Sequence, residues 1–558
     1  MEKQDIGLLS VNSSPKERSN YIWSPAEKVG HSADFVRGVK GEVTSYWGNL
    51  LLTPYLRECA ELGITFPFIR VPELKETYCN YVDPAMSQSV DEKWLSWLEK
   101  GIIEPGETLL VMALGTVPKK NGQVRVIHDC RPLNRYVYDM PFSMDGLKEV
   151  AKFIKANDWL TSVDLKDGYE HVPIHIDFRK YFGVNWNGQT MRFAKLGFGF
   201  KLSPVLFQAL MDSVALEASR RIGYKSVFVY LDDFLIRGSS ELDCLNNSNI
   251  LLKVLNELVL KPNWSKCLLK PQQSIEYLGK VWNSKLGIVT NDESHNDRIK
   301  SKCSKLIKSK TATVNELESF LGVLEWSART MSLSRCWKRF LQIDLQNWKT
   351  LQDRGVDGGR LGGIGVFNYN NDCLGNAKWQ VNAKRQKDAK WQLSLKSVKE
   401  LKWWRDHCDD WIPFEIDDIW KGNVLNVHTD ASGHAYGSTT GLWGMWNENE
   451  MDWTIAIKEM ESIRRMISSL QSGTQLKIGC DNTVVVWCLK KGRSFSKDLN
   501  ELVKRIGGDI HQRNLKVKWY WIPTYENRAD GVSRAHSKLT AMNSLLQEDK
   551  INSPKMEM

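Results

Sequence analysis

The chain has 558 residues, 42% hydrophobic and 25% charged, a balance that excludes collagen-like, coiled-coil and wholly disordered readings and suggests about three or four domains. No window approaches the roughly 18 uninterrupted apolar residues of a membrane helix, and the polar start MEKQDIGLLSVNSSPKERS lacks the apolar core of a secretory signal. Lys and Arg outnumber Asp and Glu by 76 to 66, giving a formal charge of +10, and there are 23 tryptophans. Such a chain is suited to tracking a phosphate backbone, or carries a basic surface over large aromatic cores.

Residues 1 to about 40 are polar and without pattern, as a leader is. From Glu42 to Glu73 apolar residues alternate with turn residues (YWGNLLLTPYL, then LGITFPFI), which predicts a small ordered element. SVDEKWLSWLEKGII predicts a helix capped by Ser89, with Glu92 three residues on and Gly101 behind its apolar run. LLVMALGTVPKKNGQVRVIHDC reads as strand, Asn-Gly turn and strand, a β-hairpin. Between Trp159 and Gly279 strands alternate with helical stretches, and His171 and His175 flank a strand signal and read as structural. Asp297 to Trp348 is mostly helical, and Gly355 to Gly375 is the clearest linker. A basic, Trp-dotted segment spans Lys378 to Arg405, where Trp403 and Trp404 read as core. Val424 to His536 forms a second α/β pattern ahead of a polar tail. Eleven cysteines without a C-x-x-C pair argue against a zinc site and a disulfide framework, and fit reduced thiols in an intracellular protein.

Two sets of acids stand at the ends of apolar runs. KSVFVYLDDFLIRG interrupts a β-rich stretch with Asp232 and Asp233, and LTSVDLKDGYEHVPI ends another on Asp164. Buried acids are costly unless they turn out into solvent or hold a cation, so the pair reads as a solvated hairpin tip or as part of a Mg²⁺ site. Further on, VLNVHTDASG ends a strand signal on Asp430, and IAIKEMESIRRMISSL reads as a helix carrying Glu459 and Glu461. These two glutamates are spaced i and i+2, so only one can readily line a site. LKIGCDNTVVVWCLKKG places Asp481 at a strand-to-helix junction, and WIPTYENRADGVSRA places Asp530 near the start of a short helix.

VDLKDGY, LGFGFKLSPVLFQ and YLDD, in that order, resemble the palm motifs of reverse transcriptases; VPKKNGQVRVIHDCRPLN resembles their fingers and EYLGKV their primer grip. The resemblance implies metal ligation by Asp164 and Asp232, with Asp233 the third catalytic carboxylate. It makes Tyr169 the aromatic gate against a 2′-hydroxyl, and hence implies dNTP use. Arg125 would meet the incoming triphosphate, with Lys119 or Lys120 as added point charges. Gly199 would let the backbone approach the nucleotide, and Lys266 would donate a proton to pyrophosphate. Phe198 stands where retroviral enzymes carry glutamine, a departure shared with non-retroviral families.

TDAS, CDNTVVV and NRADGVSR resemble an RNase H domain, whose four carboxylates hold two Mg²⁺ ions about 4 Å apart and cleave the RNA of a hybrid. The resemblance assigns Asp430, Glu459, Asp481 and Asp530 as catalytic residues and metal ligands, with Glu461 the reserve for the helix acid. The histidine that some RNase H enzymes carry near the last acid has no obvious counterpart.

GITFPF, PFSMDGLKEV, LKWWRDH and NRADGVSR are most similar to DIRS-type (tyrosine recombinase) retrotransposons within the LTR class, ahead of gypsy-type elements and pararetroviruses. The fold expected is α+β multidomain, a right-hand polymerase with fingers, palm and thumb, a connection and a C-terminal RNase H-like α/β domain. The boundaries are 1–85 for a leader and small extension, 86–290 for fingers and palm and 291–350 for a helical thumb. They continue with 351–420 for the connection, 421–540 for RNase H and 541–558 for a polar tail.

Thumb residues Arg298, Lys300, Lys302, Lys305, Lys308 and Lys310 would grip duplex phosphates. Lys384, Arg385, Lys387 and Lys390, interleaved with Trp379 and Trp391, would carry the hybrid, or form a solvated face. The implied cofactor is Mg²⁺, two per centre, with Mn²⁺ the alternative. The implied partners are an RNA template, a DNA primer, their hybrid, dNTPs and other element-encoded proteins, with no membrane and an intracellular place in cytoplasm, nucleus or both. The competing readings are a domesticated nucleic-acid-binding scaffold with little turnover and an RNA-templated RNA polymerase.

Overall fold

The computed structural model describes residues 54–72, 75–118, 124–140, 142, 144, 146–353, 389–416 and 424–534. They fall into two compact units, one of residues 1–146 and 159–272 and the other of 147–158 and 273–558. The chain therefore enters the second unit at Leu147, returns to the first at Trp159, and leaves it again after Gln272. No helix among the described residues is long and apolar enough to cross a membrane.

The first unit is built on a four-stranded antiparallel sheet in the order Leu268–Gln272, Trp159–Asp164, Asp233–Gly238, Val227–Tyr230. Its inner strands are rich in Val, Leu, Ile and Phe, and Phe234, Leu235 and Ile236 are fully buried. Helices Ser203–Ile222 and Glu241–Glu257 pack against it. The first has Pro204 in its opening turn and ends on Gly223 at φ 97°, and the second is capped by Ser240. A five-stranded sheet and the ribbon of Leu114–Pro118 with Val124–His128 complete the unit. That ribbon is the expected hairpin; its Asn-Gly turn, with Lys119 and Lys120, lies outside the described residues.

Two local expectations are corrected here. The helix placed at Ser89 runs from Ser87 to Glu99 and has no side-chain cap, because a 3₁₀ turn over Pro84–Met86, capped by Asp83, already leads into it. His171 and His175 flank no strand: His171 ends one 3₁₀ turn and His175 caps the next, and the residues between them make only the isolated bridges Pro173–Lys195 and Ile174–Ile64. His171 donates through Nδ1 to the Gly168 carbonyl (3.2 Å) and accepts the Lys261 N–H at Nε2 (3.3 Å). Burial lowers its pKa, which favours this neutral form.

The second unit opens with an antiparallel sheet of Ser274–Tyr277, Lys280–Asn283, Ile288–Thr290 and Phe414–Glu415. The 147–158 segment is tied to it by hydrogen bonds. Ser284 Oγ donates to the Asp158 carbonyl, Asn157 N–H to Ser284 O (3.0 Å), and Gln273 Nε2 to Asn157 O (3.0 Å). Helices Glu293–Ser309, Val314–Ser327, Arg339–Asp353 and Leu395–His407 bury a core that includes Trp348, Trp391, Trp403, Trp404 and Trp411. Trp391, expected to line the path of the hybrid, is 2% exposed and belongs to this core; Trp379, Lys384, Arg385, Lys387 and the Gly355–Gly375 linker lie outside the described residues. Trp403 and Trp404 are buried as expected.

A five-stranded sheet ends the chain, in the order Trp443–Met445, Ala435–Ser438, Leu425–Ala431, Gln475–Cys480, Lys516–Trp521. The first three strands are antiparallel to one another and the last three parallel, with helix Ile455–Ser469 packed on Leu425–Ala431.

Candidate active sites

The antiparallel register of the first unit's sheet sets Asp233 directly opposite Asp164. Asp232 sits in the tight turn before Asp233, and its carbonyl accepts the Leu165 N–H at 2.9 Å. Leu231 enters that turn at φ 53°, a left-handed conformation unusual for a branched apolar residue. Gln208, on helix Ser203–Ile222 and 5% exposed, braces it. Its Oε1 accepts the Leu231 N–H at 2.7 Å while its Nε2 donates to Val229 O at 3.1 Å and to Asp212 at 2.8 Å.

Burial pushes the Asp233 carboxyl up to about 7, and the neighbouring Asp232 and Asp164 charges add to it. Asp232 is raised by burial and by Asp164, against the pull of Lys266 and Arg125. Asp164 Oδ1 is buried with no hydrogen-bond partner. These carboxylates, the unpartnered Asp164 Oδ1 among them, are oxygen donors of the kind a hard divalent cation takes. Lys266 Nζ lies 3.2 Å from Asp164 Oδ2.

Tyr169, on the turn Gly168–His171, meets Phe198 and Phe207 edge-on at 5.3 and 5.2 Å, and burial raises its hydroxyl to about 12. Arg125 extends over the exposed Phe198 ring at 5.2 Å, and its charge reaches Asp232. Gly199 has φ 111°, and a Cβ there would lie 2.0 Å from the His128 carbonyl oxygen, so a close backbone approach requires glycine. Lys280, within the EYLGKV motif, is buried in the second unit, bonded to Asn291 and to the Trp326 carbonyl.

In the C-terminal sheet Asp430 and Asp481 stand at the ends of parallel neighbours, and Glu459 projects from helix Ile455–Ser469. Glu459 is raised well above its usual range by burial, then by Asp430 and Asp481. Asp430 is raised by burial, with Asp481 and Asp530 adding to the shift and the hydrogen bond from Ser533 opposing it. Asn527 Nδ2 holds Asp430 Oδ1 at 3.3 Å. Asp530 begins the last described helical turn and pairs with Arg534 at 2.7 Å. Ligand atoms of Glu459, Cys480 and Asp481 lie within 4.8 Å of one another, with the buried Cys480 thiol, raised well above its usual range by burial, donating to Glu459 Oε2 at 3.9 Å. Glu461 is placed elsewhere: burial acts to raise it, but bonds from Arg464 (2.7 Å) and Arg465 (3.1 Å) outweigh that and leave it lowered.

Of the thumb cations, Lys300 pairs with Asp409 and Lys302 with Glu316, while Lys305, Lys308 and Lys310 are exposed on or just beyond helix Glu293–Ser309. Sequence reasoning missed Gln208, Ser533 and Asn527. All three stood inside motifs named above with their side chains unassigned, Gln208 at the end of LSPVLFQ and Asn527 and Ser533 within NRADGVSR.

Comparison with known proteins bears on the first unit directly. Residues 117–281 match the reverse transcriptase (RNA-dependent DNA polymerase) family. The matched segment contains Asp164, Asp232 and Asp233. The chain is also 23% identical over 284 residues to the Transposon Tf2-3 polyprotein of Schizosaccharomyces pombe, and 22% identical to the Tf2-7 polyprotein of the same organism. Each alignment covers 50% of this chain and 20% of the relative, so the chain spans about a fifth of the length of these curated relatives. Similarity to LTR-retroelement reverse transcriptases follows; the subclass does not.

Among solved structures, the chain is similar to the foamy viral protease-reverse transcriptase dRH in complex with ds DNA, at TM-score 0.50 and 14% identity. That match covers 87% of this chain and 81% of the other. At such identity the likeness concerns fold alone, an α+β multidomain architecture.

Proposed function

We propose that this protein is a retroelement reverse transcriptase that synthesises DNA on RNA and DNA templates and cleaves the RNA of the resulting hybrid. The observation that carries the reading is the convergence of Asp164, Asp232 and Asp233 inside the reverse transcriptase segment. Glu459, buried beside Asp430 and Asp481, supports the second activity. Asp164 and Asp232 would hold Mg²⁺, or Mn²⁺, in one centre and Asp430, Glu459, Asp481 and Asp530 in the other, two ions each, supplying activation of the attacking oxygen and stabilisation of the leaving one.

The chain's own groups divide the remaining work. Tyr169, held by Phe198 and Phe207, closes the space a 2′-hydroxyl would need and selects dNTPs. Arg125, over Phe198, faces the triphosphate with a fixed fork of donors. Lys266, beside Asp164, is placed to give a proton to the departing pyrophosphate. Ser533 and Asn527 orient Asp430. Lys305, Lys308 and Lys310 contribute salt-sensitive grip on the duplex. The element is assigned to the DIRS type on GITFPF, PFSMDGLKEV, LKWWRDH and NRADGVSR, and its place of work is intracellular.

The test is one reaction with purified protein, Mg²⁺, dNTPs and a 5′-labelled RNA template annealed to a DNA primer. Primer extension and template shortening are followed together. Asp232→Asn abolishes extension and spares cleavage, and Asp430→Asn does the reverse. Survival of both activities in both variants overturns the site assignment. Tight hybrid binding by the wild type with neither product replaces the enzyme by a scaffold.

A further inference from the structure

The motif LKWWRDH ends on a residue that neither acid centre uses. His407 is the last residue of helix Leu395–His407, Asp410 lies in the turn that follows, and His511 stands in the last turn of helix Lys497–Gln512. One ligand atom from each of the three lies within 4.8 Å of the others. His407 Nδ1 is 3.4 Å from Asp410 Oδ1, and His511 Nε2 is 3.9 Å from Asp410 Oδ2. Ligands about 2.0–2.1 Å from a tetrahedral zinc ion stand about 3.3 Å apart. The first pair already has that separation, and the second, measured to the other carboxylate oxygen, needs to close by about 0.6 Å.

Two further features favour a cation at this place. Both histidines sit at helix C-termini, where unsatisfied carbonyls and the helix dipole present negative potential. Both rings are also backed by one fixed aromatic. Trp411, 5% exposed and tied through Nε1 to the Ser332 carbonyl at 2.6 Å, lies 5.6 Å from the His407 ring and 4.9 Å from the His511 ring. The histidine side chains keep 34% and 28% exposure, which leaves an entry path and room for a water as fourth ligand. The cysteine spacing that argues against a zinc site does not bear on a set of two imidazoles and one carboxylate.

We propose that His407, Asp410 and His511 form a site for one zinc-class divalent ion. The ion ties the end of the connection helix to the end of the last long helix of the RNase H-like domain. It is borderline-soft and takes imidazole nitrogen, so it is distinct from the oxygen-bound Mg²⁺ of the acid centres.

The experiment uses the full chain, stripped with a chelator and titrated with ZnCl₂ in excess MgCl₂ by calorimetry. Cobalt(II) absorption reports coordination, and thermal melts report stability. One equivalent of zinc should bind the wild type and raise its Tm. His407→Gln, Asp410→Asn and His511→Gln should each weaken that binding by at least about tenfold and remove the Tm gain, while Asp430→Asn leaves both intact. Asp410, 60% exposed, is the variant least able to disturb the fold; a metal-free melt equal to wild type establishes that. Absence of stoichiometric zinc binding, or binding unchanged in the Asp410 and His511 variants, overturns the proposal. Neither result depends on polymerase or RNase H activity.

Discussion

Gln208→Ala tests whether the acids of the first sheet are held in place by the brace beneath their turn. The substitution removes the acceptor for Leu231 N–H and the donor to Val229 O, bonds of 2.7 and 3.1 Å, along with the link to Asp212. Each lost bond costs about 1 kcal/mol, rising to about 1–3 kcal/mol where a buried partner is left unsatisfied. Val229 O is buried and Leu231 sits in a left-handed turn, so about 2–4 kcal/mol of local stability should be lost. Hydrogen exchange should show faster exchange across Val229–Asp233. Single-turnover primer extension should fall by about 10- to 100-fold in kcat, because a carboxylate displaced by about 1 Å loses its alignment, with KM for dNTP changed far less. RNA cleavage in the same tube is the internal control and should not move. Exchange and extension rates both within about twofold of wild type would refute the argument that Gln208 holds the turn.

Gly199→Ala must move either the His128 carbonyl, 2.0 Å from the new Cβ, or its own backbone at φ 111°; extension should be lost with cleavage kept, as an end-point assay will show. Asp233 has its folded-state pKa raised from 3.8 to about 7, so between those values the folded state binds the extra proton and metal-free stability from this group falls as pH rises. Melts in chelator from pH 4 to pH 8 should therefore show wild type losing stability relative to Asp233→Asn, and a constant difference would contradict the burial argument. Lys504 Nζ lies 3.5 Å from Glu400, which is 1% exposed and raised to about 7 by burial. Lys504→Met should destabilise the second unit by about 3 kcal/mol at pH 8, and by less at pH 6, where Glu400 takes up a proton; urea titration at the two pH values measures the difference.

Much of both sites was legible because each acid terminates an apolar run or sits at a junction: Asp164 after WLTSV, Asp430 after LNVHT, Asp481 after KIGC. Those patterns place acids at strand ends, but the pairing of Asp233 with Asp164 is a property of register, which no local pattern contains. The i, i+2 spacing of Glu459 and Glu461 announced that the two must part company. That Arg464 and Arg465 would take Glu461 required knowing which helix face is buried. Trp391 misled because a tryptophan among lysines reads alike on a surface or in a core, and only its partner strand, Thr311–Ala312, decides. The cap at Ser89 failed for a local reason: Asp83 and Pro84 start the turn earlier than the apolar period does. The boundary drawn at residue 290 presumed that neighbours in sequence share a core, whereas Leu147–Asp158 packs with the unit that begins at Gln273.

That detour has a consequence for synthesis. Asp158 leaves the ribosome 126 residues ahead of Ser284, whose hydroxyl will hold its carbonyl. At translation rates of about 5–20 residues per second, the wait is roughly 6–25 s. During that interval strands on either side of the excursion can already pair, Val111 with Gly183 and Ile103 with Phe193, and beyond it Trp159–Asp164 needs only Asp233–Gly238 and Leu268–Gln272. The first unit thus matures around an unclaimed insert, and the nascent chain carries a segment whose docking place has not yet been made.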